Sequence, residues 1–214
     1  AAGNADAATT QAGERDGARE EYRAGLVSAR IRSGTSPGFS GASTVGGDGA
    51  QMIWNLSHRA DKQALPLADR HYNRQKIGSP QFVPPGRCLV LLTRNHDALW
   101  TTSWPFAEFV RHAWAGAWVN SLFRNESSGV ASEMILQAIA ATRSIWEPPT
   151  LGIVTFVDPR AVPGVKRRGQ MVYGYCYQRA GFHHIGFTKG GLWAWQLLPH
   201  EMPEAEQIQI MRKT

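Results

Sequence analysis

Apolar and polar positions are unevenly spread along the chain. Up to residue 51, runs such as AAGNADAATT and GFSGASTVGGDGA show no apolar repeat of helical or strand period, whereas Trp, Leu, Phe and Pro become frequent from Met52, where MIWNLSHRAD begins. A segment so poor in large apolar side chains cannot offset its ordering entropy. Residues 1–51 therefore read as a flexible, dispensable N-terminal segment and residues 52–214 as the folded unit. Between Leu65 and Pro85, prolines at 80, 84 and 85 exclude a long regular element and leave a short helix followed by loop. Two β-rich runs, Arg87 to Thr93 (RCLVLLT) and Ala98 to Trp104 (ALWTTSW), flank the polar residues Arg94-Asn95-His96-Asp97 and predict a hairpin. A third strand, Ala117 to Arg124, runs into Asn125-Glu126-Ser127-Ser128-Gly129.

The next stretch, Val130 to Trp146, sets Val130, Met134, Ile135, Ala138, Ile139, Thr142 and Ile145 on one helical stripe, with Ser127 or Ser128 available to cap its first turn. Beyond Pro148-Pro149, Leu151 to Phe156 (LGIVTF) has the composition of a central strand and delivers Val157-Asp158-Pro159 at its C-terminal end. VPGVKRRG reads as a loop. A short helix near Val172 to Ala180 stops at Gly181, and strands at about His183 to Thr188 and Leu192 to Leu198 close the chain. The predicted order is β-β-β-α-β-α-β-β, an α+β domain with a mixed central sheet flanked by helices.

Composition narrows what such a domain can do. With 43% hydrophobic residues over 214, the chain has enough apolar material for a core of its own. Two cysteines without a C-x-x-C pair exclude a disulfide framework and the usual zinc-ribbon and thioredoxin readings, and point to a reduced, cytoplasmic setting. The sequence contains neither a bilayer-spanning apolar stretch nor an N-terminal apolar run like a signal peptide, so membrane insertion and secretion are not expected. Residues 1–51 hold five Arg and six acidic residues, which leaves 18 Lys and Arg against 11 Asp and Glu, a net of +7, on the rest. That excess suits a polyanion such as double-stranded DNA, or is spread over the surface and serves solubility.

Polar residues at the predicted element ends are the candidates for chemistry. Asp69-Arg70-His71-Tyr72 offers proton transfer or metal ligation beside a stacking ring, or else a capped turn with a buried Tyr. Arg124, Asn125 and Glu126 could hold an anion and an amine, or cap the helix and pair at the surface. Asp158 emerges at the sheet rim, where it takes a proton or metal or only begins a turn. Lys166-Arg167-Arg168 and Lys189 lie in Gly-flanked loops that could touch phosphates or be plain solvated turns. The Trp residues are mostly core with a few free to stack on bases, Cys88 reads as a buried strand residue, and His183-His184 has no third ligand at zinc spacing.

The order of elements, with Ala180-Gly181-Phe182 before a closing hairpin, resembles the GNAT acyltransferase fold. In that family the turn into the long helix carries Gln/Arg-x-x-Gly-x-Gly/Ala, whose backbone N–H groups hold the pyrophosphate of acetyl-coenzyme A. Here the turn is Glu126-Ser127-Ser128-Gly129-Val130-Ala131: the Gly-x-Ala half matches, and the acidic first position would repel a pyrophosphate. A Tyr from the short helix protonates the leaving thiolate in such enzymes, and Tyr173, Tyr175 and Tyr177 lie near that helix here, beside Cys176. The strings His71-Tyr72-Asn73, Leu122-Phe123-Arg124-Asn125-Glu126, Thr155-Phe156-Val157-Asp158, and Ala180-Gly181-Phe182 through Thr188-Lys189-Gly190-Gly191 resemble those of the bacteriophage Mom-type DNA modification proteins, over about Leu65 to Pro199.

This resemblance implies addition of a carbamoylmethyl-type group to the exocyclic N6 amine of adenine, hiding the DNA from restriction enzymes. It leaves the acyl donor open and brings in iron, to which some of that family are linked. It implies His71, Tyr72, Glu126 and Asp158 as catalytic residues, with Tyr72 stacking, Asn125 or Glu126 holding the amine, and Asp158 or His71 taking its proton. Asp69, Arg124, Asn125 and Ser127 would bind substrate, and Lys166, Arg167, Arg168 and Lys189 the DNA. A conventional N-acetyltransferase acting on a small-molecule or protein amine is the alternative, and a DNA-binding module without catalysis the third.

Overall fold

The computed structural model describes residues 51–83, 86–106, 110 and 113–208. The chain runs through β1 (Trp54–Ser57), α1 (Leu65–Asp69), β2 (Arg87–Thr93), β3 (Ala98–Trp104), β4 (Trp118–Asn125), α2 (Ala131–Arg143), β5 (Ile153–Val157), β6 (Val165–Arg167), β7 (Gln170–Val172), α3 (Tyr175–Arg179), β8 (His183–Phe187) and β9 (Trp193–Leu197). Seven strands make one sheet in the order β1-β2-β3-β4-β5-β9-β8, and β6 and β7 form a separate hairpin. All neighbours in the large sheet are antiparallel except β4 and β5. The expected α+β class with a mixed sheet is therefore observed; the segment expected to be dispensable falls, but for Gln51, outside the described residues. Among the described residues no helix is long and apolar enough to cross a membrane.

The strands follow from their side chains. β2 and β3 are almost wholly apolar or β-branched and buried on both faces. One face of the sheet packs Trp54, Leu91, Trp100, Trp118, Ile153 and Trp195 against Met134, Ile135, Ala138 and Ile139 of α2 and Tyr177 of α3. The other packs Val90, Leu92, Leu99 and Leu122 against Leu67 and Ala68 of α1 and against Phe82 and Val83. The predicted stripe on α2 holds in its middle only. Val130 and Ile145 are exposed because the helix begins after the first and ends before the second. Its N-cap is Val130, without a side-chain cap, so neither Ser127 nor Ser128 plays that part.

Three further departures from the sequence reading are local. β1 adds an outer strand beside β2, short enough at four residues to leave no alternation to read. VKRRGQMV is a hairpin rather than a loop: Arg167 pairs with Gln170, and the two turn residues, Arg168 (φ 47°) and Gly169 (φ 83°), both take the positive φ that a two-residue turn of type I′ requires. Cys88 is half-buried, and its Sγ accepts a hydrogen bond from Arg59 Nη2 at 3.1 Å.

Two irregularities in β4 open the sheet near its centre. Its register against β3 slips between Thr101 and Thr102, leaving Ser121 without an opposite residue between Asn120 and Leu122. Such a bulge re-aims the side chains beyond it: Asn120 sits beneath α3, Leu122 goes to the α1 side, and Phe123 returns to the α2 side against Trp100 and Tyr177. Pairing with β5 also stops after Trp118↔Ile153, Val119↔Val154 and Asn120↔Thr155, although β4 continues to Asn125 and β5 to Val157. The two central strands therefore part in the middle of the sheet.

Candidate active site at the parting of β4 and β5

The segment after α1 lies across this opening. Pro66 in its first turn fits the start of a helix, and the five residues of α1 end at Asp69, whose carboxylate accepts from Arg74 Nε at 2.7 Å and from the Gly78 backbone N–H at 2.9 Å. Arg74 in turn donates to the Ser79 and Gln81 carbonyls. Asp69 thus fixes the loop that presents His71, Tyr72 and Asn73. Asn73 Nδ2 donates to the carbonyl of Ser121, the bulge residue of β4, at 2.7 Å, and Tyr72 Oη donates to the carbonyl of Phe156 on β5 at 3.1 Å. Consecutive residues thus bond to both diverging strands.

With its Nδ2 fixed on Ser121, Asn73 turns Oδ1 toward His71 Nδ1, 2.5 Å away, and an amide oxygen can only accept. His71 is buried beneath Tyr72, ring centroids 4.4 Å apart and stacked. Burial is the main cause that lowers its pKa below the ordinary value; the Asn73 bond opposes this, the Arg124 charge adds to it, and the Phe123 backbone opposes it. The imidazole at neutral pH is consequently uncharged.

On the rim beside it, Glu126 receives Arg70 through Nε at 2.8 Å and Nη2 at 2.7 Å, and Arg124 through Nε at 2.8 Å. Bonding by Arg70 is the foremost cause holding the Glu126 carboxyl down at about 2, with Arg124 adding to it against a desolvation cost. Arg124 also donates to the Arg70 carbonyl, so this trio ties the end of β4 to the segment after α1. Glu126 is not a bare carboxylate: two guanidinium groups around one carboxylate leave the local charge positive.

The loop into α2 is closed by its own side chains. Asn125 Oδ1 accepts from Ser127 N and Ser127 Oγ, Asn125 Nδ2 donates to the Gly129 carbonyl, and Ser127 Oγ accepts from Gly129 N. Glu126 N donates to the Asp97 carbonyl. Three of the backbone N–H groups that a pyrophosphate cradle would use are thereby already bonded, and both lone pairs of Asn125 Oδ1 are taken.

Asp158 follows β5 directly, two residues beyond the Phe156 carbonyl that Tyr72 touches. Its carboxylate is largely covered and accepts from Arg160 N, Nε and Nη2 at 2.9 to 3.0 Å, and that bonding lowers its pKa ahead of an opposing desolvation. From the opposite side of the sheet, buried Tyr177 donates to Asn120 Oδ1 at 2.6 Å, at the last residue of β4 paired to β5. Burial first, then nearby Cys176 and Tyr72, raise the Tyr177 phenol well above its usual value. Of the candidate tyrosines it is the buried one, while Tyr173 and Tyr175 are half-buried.

The structure thus joins His71, Tyr72, Arg124 and Glu126, leaves Asp158 two residues beyond the Phe156 carbonyl and paired with Arg160, and gives Asp69, Asn125 and Ser127 to shaping the two loops. Lys166, Arg167, Arg168 and Lys189 are exposed on the β6–β7 hairpin and the β8–β9 turn. Arg70, Asn73 and Tyr177, which the sequence reading quoted within longer strings or as one of several tyrosines, join the site, and Asn120 is the residue that reading missed. A signal existed for Asn120, a lone amide inside the apolar strand AWVNSLF, where a buried polar group needs partners. Among the described residues no group of three or more His, Cys, Asp or Glu stands close enough to hold a metal ion, so the iron implied by the resemblance finds no ligand set here. Compared with known proteins, the chain matches no family model, no curated protein and no solved structure.

Proposed function

We propose that the chain is a GNAT-like, Mom-type transferase that adds a carbamoylmethyl-type group to the N6 amine of adenine in DNA and so hides that DNA from restriction. The observation that carries this reading is the bridge of His71, Tyr72 and Asn73 across the parted strands, with Asp158 at the same rim. A sheet whose central parallel pair opens halfway, with a long helix after the first strand of that pair and a buried Tyr beneath, supports a GNAT-like arrangement.

In this reading an adenine is extruded from the duplex, which costs a few kcal/mol, and stacks on the exposed Tyr72 ring. The N6 nitrogen attacks the electrophilic carbon of the donor, the bond from that carbon to the donor's leaving group breaks with the electron pair going to the leaving group, and the N6 proton passes to Asp158. A carboxylate weakened as a base by Arg160 suffices, because a nitrogen that has just formed its new bond is strongly acidic. Buried His71 acts through Tyr72 as a positioning residue, and Arg70 and Arg124 supply positive charge for a phosphate or an anionic donor.

The bonded N–H groups of Ser127 and Gly129 count against the second reading, an ordinary acetyl-coenzyme A enzyme. Expression in bacteria followed by mass spectrometry of nucleosides from plasmid DNA tests the proposal. A new adenine mass supports it, and acetylation of an amine substrate by acetyl-coenzyme A with unchanged DNA favours the alternative.

A further inference from the structure

The positive charge is concentrated. Residues 158–198 contain Arg160, Lys166, Arg167, Arg168, Arg179 and Lys189 against one acidic residue, Asp158, so they hold +5 of the +7 carried by residues 52–214. Lys166, Arg167 and Arg168 project from the β6–β7 hairpin. That hairpin is seated on aromatic rings: the Arg167 guanidinium lies 4.4 Å from the centroid of Tyr175, and a Cβ added at Gly164 would come within 3.0 Å of the Tyr173 ring.

From Tyr173 the rings continue along one face of the edge strands. Tyr173 lies 5.6 Å from Trp193, Trp193 lies 4.4 Å from His184 and 5.4 Å from Phe187, and His184 and Phe187 are 5.0 Å apart. Strand pairing explains the row. Phe187 pairs with Trp193 and His184 with Trp195, while the register shift between His184 and Gly186 returns both side chains to the same face. Phe187 is 55% exposed, His184 is exposed and Trp193 half-buried. Lys189 stands in the turn just beyond Phe187. The neighbouring carboxylate of Glu201 is engaged by His183, which as the residue before His184 points to the opposite face.

Exposed rings in a row, with cations at both ends, match the chemistry of a strand of unpaired nucleotides: each base offers a π-face and each linkage an anion. A duplex presents only phosphates to such a row, because its base faces are stacked on one another. We infer that this strip is a docking surface for single-stranded nucleic acid, with bases on Phe187, His184 and Trp193 and phosphates on Lys166, Arg167, Arg168 and Lys189. The inference does not rest on the reaction proposed above.

Fluorescence anisotropy of the full chain with labelled strands tests it, using oligothymidine of about 20 nucleotides, an abasic strand of equal length and the matching duplex. Oligothymidine is expected to bind roughly tenfold or more tightly than either of the others at the same salt, since stacking adds to phosphate contact. Phe187→Ala with His184→Ala abolishes that preference and leaves abasic binding unchanged, whereas Arg167→Glu with Arg168→Glu weakens all three. Phe187→Leu keeps the apolar bulk, removes the π-face and is expected to reduce the preference even if the alanine pair unfolds on melting. Equal binding of the abasic strand, a preference for duplex, or oligothymidine binding unchanged by Phe187→Leu would overturn the inference. Plasmid DNA that stays unmodified in cells speaks against the reaction alone and leaves this result standing.

Discussion

Removing the Tyr72 ring and removing only its hydroxyl separate the two tasks that the proposed reaction gives this side chain. Tyr72 is 42% exposed, and stacking of an extruded base on such a ring is worth about 1–3 kcal/mol, so Tyr72→Ala is expected to lower modification by roughly tenfold or more. Tyr72→Phe loses the bond to the Phe156 carbonyl but keeps the ring, and modification should fall less, as nucleoside mass spectrometry at matched expression would show. His71 leaves its mark on stability instead. Burial lowers its pKa in the fold below the ordinary 6.5, so its contribution is complete above about pH 6.5 and is lost as the pH falls, where the unfolded chain takes up the proton first. Urea midpoints at about pH 7.5 and 5.5 should therefore differ, and His71→Gln should shrink the difference. Glu126, held near 2, contributes above about 4.5 and loses its share only in stronger acid, so its loss begins at a lower pH than that of His71.

Among the elements, the approach of β5 to β9 is the tightest constraint. Gly152 enters β5 at φ 64°, and a Cβ there would stand 2.1 Å from the Leu197 carbonyl oxygen, a backbone atom that cannot swing aside. Gly152→Ala is expected to cost about 3 kcal/mol or more, read as a fall in urea midpoint, because β9 would have to move away from β5. The elements that periodicity could reveal were those with apolar runs long enough to carry a period: α2, β2 and β3 appear within a few residues of where the sequence places them. β1 and the β6–β7 hairpin were not legible. One has four residues, and the other is a pair of three-residue strands, exposed over VKR and Gln170–Met171, whose only sign is an Arg168-Gly169 turn. The bulge at Ser121 was hidden for a different reason: it is a mismatch between β3 and β4 that neither strand encodes alone.

At the scale of the whole molecule, charge and topology decide what the residues can reach. With most of the net charge on residues 158–198, the proposed DNA binding is expected to be chiefly electrostatic; contacts with about three to five phosphates would make log affinity fall with log salt at a slope of roughly −3 to −4. Arg167→Glu with Arg168→Glu should flatten that slope, which titrations at several salt concentrations would measure. The sequence named the loops of the candidate site but not their joining. Tyr72 meets Phe156 across 84 positions and Asn73 meets Ser121 across 48, contacts that only the parting of two central strands creates. Nor could it say that Asn125 and Ser127 spend their polar atoms on each other, since loop closure by side chains looks in sequence like a set of free donors. The claim that this parting is a reaction centre for adenine is tested most directly by nucleoside mass spectrometry of plasmid DNA from cells expressing the wild-type chain or Asp158→Asn, each shown to be folded by thermal melting. The account predicts a heavier adenine nucleoside with the wild type and its loss with Asp158→Asn; adenine unchanged by the wild-type chain, or modified equally by both, would contradict it.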